Sequence, residues 1–177
     1  MKQDEGMIHK ILSLGLMLFI ILCYVLLLEM RKVSFFKSQL EDALVQANLA
    51  AAIVDVYEYG TSEEIVFLSP QDSFLLIEEF LEVDLQSTNL SVEEVEIVLL
   101  DCRFYEVEET QVVEYVFDEE GVLSLRQHSS IENMNTPNES VIETSTIYSK
   151  IGVWFEVLKL LPVYIEMEQS VDIARNA

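Results

Sequence analysis

The chain is poor in the residues that support disulfide frameworks, phosphate loops and metal sites. Its 177 residues include two cysteines, two histidines, five glycines and three prolines. Cys23 and Cys102 lie far apart, which predicts two unrelated buried thiols rather than a disulfide. His9 and His128 stand alone, and the sequence contains no Cys/His metal spacing, glycine-rich phosphate loop or nucleophile elbow. We therefore expect no catalytic residues, no metal and no cofactor, and we do not expect an enzyme.

Positive charge is also scarce. The chain has 10 Lys and Arg residues against 32 Asp and Glu residues, which gives a formal net charge of −22. After Lys37 there are 29 acidic and five basic residues. Such a surface repels phosphate groups, so nucleic acid and anionic lipid are poor partners for this region. Since 51% of the residues are hydrophobic, the sequence predicts a folded domain with an acidic surface rather than a disordered acidic tail.

One long hydrophobic run extends from Ile11 to Leu28 and contains no charge over 18 residues. At about 1.5 Å per residue, a helix of this length spans roughly 27 Å, close to the hydrocarbon thickness of a bilayer. A cleaved signal peptide is the alternative, but its apolar region is usually shorter, and no small-residue cleavage site follows directly here. We interpret residues 11–28 as a retained transmembrane helix.

The charges that flank this run do not determine its orientation. Lys2 and Lys10 precede it, whereas Arg31, Lys32 and Lys37 follow it, so the positive-inside rule does not separate the two sides. The shortness of the first flank favours a cytoplasmic N-terminus over residues 1–10 and an exported domain. We expect a single-pass protein of a bacterial cytoplasmic membrane, with the lipid bilayer as its first partner.

Helical patterning continues beyond the membrane over residues 29–60. Apolar residues recur there at spacings of three and four, which predicts one long helix from about Met7 to Glu58, ended by Gly60. The sequence leaves two roles possible for the apolar stripe of this helix. The stripe packs against the chain's own domain, or it forms an interface for self-association or for partner subunits. The residues of this packing stripe are Leu40, Leu44, Ala47, Ala51 and Val54.

The remaining residues, 61–177, read as an extracytoplasmic α+β domain. Ser69 and Pro70 predict the start of a short second helix that runs to about Val83. Alternating apolar residues then predict an antiparallel sheet that packs on the long helix, with strand order open. We expect a hairpin turn at 118–121, an exposed loop at 128–140 and a turn at 160–162. The predicted strands cover about 91–105, 113–117, 122–126, 141–148, 151–158 and 163–171.

The acidic residues allow one metal hypothesis. The segments 106–109 and 118–121 carry several carboxylates and could approach each other across a hairpin. Calcium needs six to eight oxygen ligands in a shaped site, and neither segment has the spacing of a known calcium loop. The alternative is a solvated acidic edge that discourages strands of separate molecules from pairing.

The overall layout resembles pilin-like proteins, and more closely the TadE-like proteins encoded with tight-adherence (Flp-type) pilus assembly systems of Gram-positive bacteria. The resemblance lies in QLEDALVQANLAAAIVD (residues 39–55), DSFLLIEEFLEVDL (residues 72–85) and a β-rich end that closes with VDI (residues 171–173). It implies a membrane-anchored pseudopilin or minor pilin-like component. Such a protein works by assembling with other pilus or secretion subunits.

One feature departs from the family pattern. Prepilin peptidases typically cut after a glycine that precedes an apolar helix with Glu as the fifth mature residue. Gly6 is in the corresponding place, but the fifth residue after it is Ile11. Gly6 is therefore a doubtful processing site, and without processing an anchored accessory role is favoured over incorporation along a filament.

Two other functions remain as alternatives. A membrane-anchored extracellular binding or sensory module, unrelated to pili, would share the same layout. An anchored hydrolase that uses paired carboxylates is the third hypothesis, although no pair can be singled out among the 32 acidic residues.

Overall fold

The protein has the α+β architecture that the sequence predicts: a long N-terminal helix, a shorter helix and a five-stranded antiparallel sheet packed on the long helix. The structure is a computed structural model. It describes side chains from residue 9 onward and only the backbone of residues 83–87. The described residues are 2–53, 60, 66–87, 95–108, 111–118, 121–157 and 161–173.

The first helix, α1, spans Lys2–Ala50, a continuous run of 49 residues. It ends earlier than predicted, because the backbone at its end turns to pair elsewhere. The N–H of Ile53 donates to the carbonyl of Ala51 at 2.7 Å, and the carbonyl of Ile53 accepts from the N–H of Leu68 at 3.0 Å. The prediction of a helix to Glu58 is therefore wrong at its C-terminal end; residues 54–58 lie outside the described residues.

The second helix, α2, spans Pro70–Ser87 and begins where the capping signal predicts. The Ser69 hydroxyl accepts a hydrogen bond from the N–H of Asp72 at 3.3 Å, and the Ser69 carbonyl accepts one from Ser73 at 3.0 Å. Pro70 occupies the first helical position, where its missing N–H has no helical partner to lose. The helix extends four residues beyond the predicted end at Val83.

The sheet has the order β3-β2-β1-β4-β5, and each neighbouring pair is antiparallel. The predicted hairpin turn between β2 and β3 is confirmed: Gly121 has φ 73°, and its N–H donates to the Asp118 carbonyl at 2.9 Å. Glycine adopts this left-handed conformation without a steric cost. The strands are β1 (Glu96–Glu108), β2 (Gln111–Phe117), β3 (Leu123–His128), β4 (Thr146–Val157) and β5 (Leu161–Asp172).

The predicted strands 141–148 and 151–158 form one strand, β4, which begins only at Thr146. The polar residues in its middle do not break it, because Lys150 lies on the outer face of the sheet and pairs there with Glu166 at 2.6 Å. Val141 forms only an isolated bridge to Asn135. The predicted turn at 160–162 is also shifted, since Leu161 and Pro162 already belong to β5.

The core lies between the sheet and the two helices. One sheet face, which we call the helix face, packs against α1 and α2 and includes Phe104, Phe117, Ile147, Ile151 and Phe155. The opposite face, called the outer face, is partly covered by the irregular segment 129–145. That segment buries a second, smaller cluster formed by Tyr105, Val112, Ile142 and Tyr148.

Candidate functional site

The first half of α1 is apolar and projects away from the domain. In the described part of the chain, one helix is long and apolar enough to cross a membrane, and it covers His9–Ala50. Its most apolar window has no buried residue; Leu18, for example, is 60% exposed. A core helix of a soluble protein would be covered, because exposed apolar area is unfavourable in water. The helix is therefore compatible with a single-pass membrane anchor.

Charged residues and then burial mark the end of this exposed half. Lys32 pairs with Glu29 at 2.8 Å on the surface of α1, immediately after the apolar run. Phe36 is the first fully buried residue of α1, and its ring packs edge-on against Phe155 of β4 with centroids 5.0 Å apart. Within about two turns after Leu28, α1 therefore changes from a largely exposed apolar helix to a helix that packs against the domain.

The packing stripe lies inside the chain's own core. Leu40, Leu44, Ala47 and Ala51 are fully buried among residues of the helix face. Val54 lies outside the described residues. Contact between these four side chains and a second molecule would require α1 to leave the sheet, so the exposed half of α1 is the surface open to other helices.

Asn48 joins α1 to the sheet, a role that its sequence pattern did not indicate. Its Oδ1 accepts a hydrogen bond from the Ser149 hydroxyl of β4 at 2.7 Å, and its Nδ2 donates to the Gln169 carbonyl of β5 at 3.3 Å. Asn48 and Ser149 are both fully buried. The two polar groups satisfy each other in the core, and they fix how α1 lies along the sheet.

A charged network occupies the outer face across β1, β2 and β3. Arg103 lies 2.7 Å from Asp101 and 3.2 Å from Glu114, while His128 lies 3.0 Å and Arg126 3.9 Å from the other oxygen of Glu114. Glu114 is almost completely buried. The hydrogen bond to Asp101 raises the pKa of the Arg103 guanidinium, so it remains charged.

This network contains opposite charges that already satisfy each other. Burial, followed by the charge of Glu114, raises the pKa of the Tyr105 phenol above its ordinary value. On the helix face, outside this network, burial also raises the pKa of Tyr115 to about 12, and Glu106 accepts a hydrogen bond from its hydroxyl at 3.1 Å. Both phenols are therefore neutral at physiological pH and act as hydrogen-bond donors rather than as bases.

The two acidic segments of the calcium hypothesis do not meet in the described part of the chain. Glu106 lies opposite Val113, whereas Asp118 follows Phe117, whose β1 partner is Cys102. Four residues of strand separate these levels, roughly 13 Å. Within the described residues no group of three or more His, Cys, Asp or Glu is placed to hold a metal; residues 109, 119 and 120 lie outside them.

The outer face also carries a pair of aromatic side chains, near the C-terminal end of β4 and the N-terminal end of β5. Trp154 and Tyr164 lie opposite each other with ring centroids 4.5 Å apart, and they are 47% and 38% exposed. Gly152 leaves the space that the tyrosine occupies, since a Cβ there would lie 2.6 Å from the Tyr164 hydroxyl. The sequence pattern does not indicate this pair, although glycine inside a strand is a signal of a close approach.

Comparisons with protein-family models, with curated proteins and with solved structures found no match. The resemblance to TadE-like proteins therefore stays a prediction that depends on the segments quoted above. Gly6, the candidate processing site, lies within the first turns of α1.

Both cysteines are free thiols, as the sequence predicts, but only Cys102 is buried and Cys23 is partly exposed. Burial raises the pKa of Cys102 well above its ordinary value, and the nearby charges of Asp101 and Glu78 act in the same direction. A neutral, buried thiol is a poor nucleophile. Cys23 lies in the apolar half of α1.

Proposed function

We propose that this protein is a non-enzymatic, membrane-anchored component of a pilus-assembly or related secretion apparatus. The observation that supports the proposal is the division of one continuous helix into two parts. The part from Ile11 to Leu28 is apolar and lies outside the core, whereas the part from Phe36 to Ala50 packs along the folded domain. This layout is the one that the resemblance to pilin-like proteins implies.

Continuity of the helix favours an assembly role over simple anchoring. A flexible linker would be sufficient to hold a binding domain at a membrane. An unbroken helix, in contrast, fixes the orientation of the domain relative to the apolar half of α1. Helices in lipid associate through close packing, and small residues such as Gly15 permit close approach. Apart from the neighbouring residues and backbone of α1 itself, no described atom lies within 4 Å of a Cβ built on Gly15, so a neighbouring helix has space there.

The charges of the domain also support a role without catalysis. Glu114 and Asp101 share Arg103, and Lys150 pairs with Glu166. An enzyme that uses carboxylates needs at least one of them in a cleft with a shifted pKa, available to the substrate. The pKa values that are raised most strongly belong to the Arg103 guanidinium, to the phenols of Tyr105 and Tyr148 and to the buried thiol of Cys102, none of which is a carboxylate.

The experiment that tests the proposal is site-specific photo-crosslinking in the native host. A photoreactive residue at Leu18, which is 60% exposed on the apolar half, should crosslink to membrane subunits of the apparatus. The matched control is Leu49, which is 53% exposed on the same helix but next to the domain, and it should not give those products. Deletion of the chain should also reduce surface filaments or secretion, and the full chain should restore them.

Unchanged filaments and secretion after deletion, together with crosslinks from Leu18 to lipid alone, would contradict the assembly role. The outcome would leave the anchored binding module as the better hypothesis. One observation favours that second candidate: β3 is an edge strand of the described sheet, with Leu123 and Leu125 exposed. Edge strands can accept an extended peptide as an added strand. Crosslinks from Leu125 rather than from Leu18 would identify this mode.

A further inference from the structure

The long helix and β4 run nearly antiparallel, and two contacts establish this. Phe36 contacts Phe155 at one end, and Asn48 bonds to Ser149 at the other. The helix between Phe36 and Asn48 rises about 18 Å, and the strand between Ser149 and Phe155 rises about 20 Å. Because these two lengths agree, β4 runs alongside α1, and its C-terminal end points towards the exposed apolar half of α1.

The end of the β4–β5 hairpin therefore lies close to the level where the apolar run ends. Val157 is two residues beyond Phe155, about 7 Å further down, which corresponds to four or five residues of helix. Val157 and its β5 partner Leu161 thus reach approximately the level of Lys32. The apolar run ends at Leu28, so this level corresponds to the membrane–water interface if α1 spans the bilayer.

The chemistry of this end matches an interface. Trp154, Tyr164 and Leu161 are 47%, 38% and 58% exposed, and the two rings lie in contact on the outer face. Trp and Tyr are enriched at membrane–water interfaces because one part of each side chain is apolar and another is polar. We propose that these three residues rest on the lipid headgroups and form a second membrane contact of the chain. The proposal depends on the membrane anchorage that the proposed function contains.

Geometry permits the contact with an ordinary helix tilt. The level of Trp154 is close to that of Phe36, about 12 Å beyond Leu28, while the headgroup region is roughly 5 to 8 Å thick. Transmembrane helices tilt by about 20° on average, which lowers a surface about 10 Å from the helix axis by about 3 to 4 Å. With this tilt the level of Trp154 lies about 8 to 9 Å beyond Leu28, at the outer limit of the headgroup region, and Leu161 lies closer to the bilayer.

The charges near the pair select the type of headgroup. Lys150 neutralises Glu166 at 2.6 Å, and the Tyr164 hydroxyl donates to the same carboxylate at 3.2 Å. Glu96, the β1 partner of Trp154, is exposed, and the chain carries a net charge of −22. The cations near this level, Arg31, Lys32 and Lys37, lie on α1 and not beside the pair, so the outer face itself repels anionic headgroups. The contact is therefore with zwitterionic phospholipid, and the aromatic rings rather than cations provide it.

The chain contains one tryptophan, so Trp154 itself is the reporter. The full chain is reconstituted into phosphatidylcholine vesicles that carry a nitroxide either on the headgroup or in the middle of the acyl chain. We expect the headgroup nitroxide to quench Trp154 emission more strongly than the acyl-chain nitroxide. Replacement of part of the phosphatidylcholine by phosphatidylglycerol should reduce this quenching; an increase would refute the assignment of zwitterionic lipid.

Two matched reporters separate the anchor from the hairpin contact. In a Trp154→Phe background, Leu18→Trp should be quenched by the acyl-chain nitroxide. Gln111→Trp, exposed at the opposite end of the sheet and roughly 35 Å from Trp154 along β1, should be quenched by neither.

Each outcome has a defined meaning. If Leu18→Trp is not quenched, the anchorage fails and the hairpin contact fails with it. If Leu18→Trp is quenched while Trp154 emission resembles that of Gln111→Trp, the anchor stands and the hairpin contact is refuted. If quenching of Trp154 rises when the ratio of protein to lipid is lowered at a constant fraction of nitroxide lipid, the pair contacts a second copy of the chain, and the lipid contact is again refuted.

Discussion

The buried pair of Asn48 and Ser149 offers the sharpest test of how α1 is held on the sheet. Asn48→Ala removes two hydrogen bonds, one from Ser149 at 2.7 Å and one to the Gln169 carbonyl at 3.3 Å. It also leaves the Ser149 hydroxyl in the core without its acceptor, because neither residue is exposed to water. The substitution should therefore cost more than the two bonds themselves.

The expected magnitude follows from the burial of both partners. A net hydrogen bond contributes about 0.5 to 1.5 kcal/mol, and a buried polar group left unpaired costs about 1 to 3 kcal/mol. We expect Asn48→Ala to lower the free energy of unfolding by about 2 to 4 kcal/mol. Ser149→Ala should cost about 1 to 3 kcal/mol, since it leaves Asn48 Oδ1 unpaired. The double variant should be less destabilised than the sum, with a coupling energy of about 1 kcal/mol.

The assay is urea unfolding of the full chain in detergent micelles, followed by the emission of Trp154. Gln46→Ala is the matched control, because Gln46 is exposed on the neighbouring surface of α1. It should change the free energy of unfolding by less than about 0.5 kcal/mol. Additive effects of Asn48→Ala and Ser149→Ala, or an Asn48→Ala variant as stable as the Gln46→Ala control, would refute the reasoning.

Three further predictions concern the stripe, the outer face and the hairpin turn. Ala47→Glu should destabilise the domain by more than about 3 kcal/mol in the same assay, because it buries a carboxylate. Leu49→Glu is the control and should have little effect, because Leu49 is 53% exposed. Equal effects of the two substitutions would contradict the burial of the packing stripe. Burial and a hydrogen bond to Glu168 raise the pKa of Tyr148 above its model-compound value of 10.0, so the stability it contributes below pH 10 should be lost as the pH rises further. Tyr148→Phe should flatten the dependence of the unfolding midpoint on pH in this alkaline range, and an unchanged slope would count against it. Gly121→Ala should cost about 1 to 3 kcal/mol, since φ is 73° and a Cβ would lie 3.0 Å from the Phe74 ring, and full retention of stability would show that the turn relaxes.

Elements buried on one side were predictable from the sequence, because burial imposes a period that can be counted. Leu40, Leu44 and Ala47 recur at helical spacing and all face the sheet. Val113 and Phe117 alternate in β2 and both lie on the helix face, as their register with β1 shows. A fold with helices on one face of an antiparallel sheet follows from these two periods alone.

Ends and interruptions were less predictable, because distant parts of the chain determine them. The helix stops at Ala50 since Ile53 pairs with Leu68, a contact between segments that local periodicity does not describe. The polar residues around Lys150 predict a break between two strands. Lys150 nevertheless remains within β4, where its side chain pairs with Glu166 of β5.

The charged network and the aromatic pair could not be found without the sheet register. Arg103, Glu114 and His128 belong to three different strands and meet only because of how those strands align. Trp154 and Tyr164 likewise become neighbours through the pairing of β4 with β5. Sequence spacing within one strand carries no information about its partner's register when both strands are polar on that face.

The antiparallel alignment of α1 with β4 has a mechanical consequence. A force along the helix, such as extraction of its apolar half from lipid, acts parallel to the interface between α1 and the sheet. The contacts of Phe36, Leu40, Leu44 and Asn48 then share the load at the same time, in shear, instead of breaking one after another as they would if the helix were peeled off sideways. A pull along α1 would therefore be resisted by all of these contacts together.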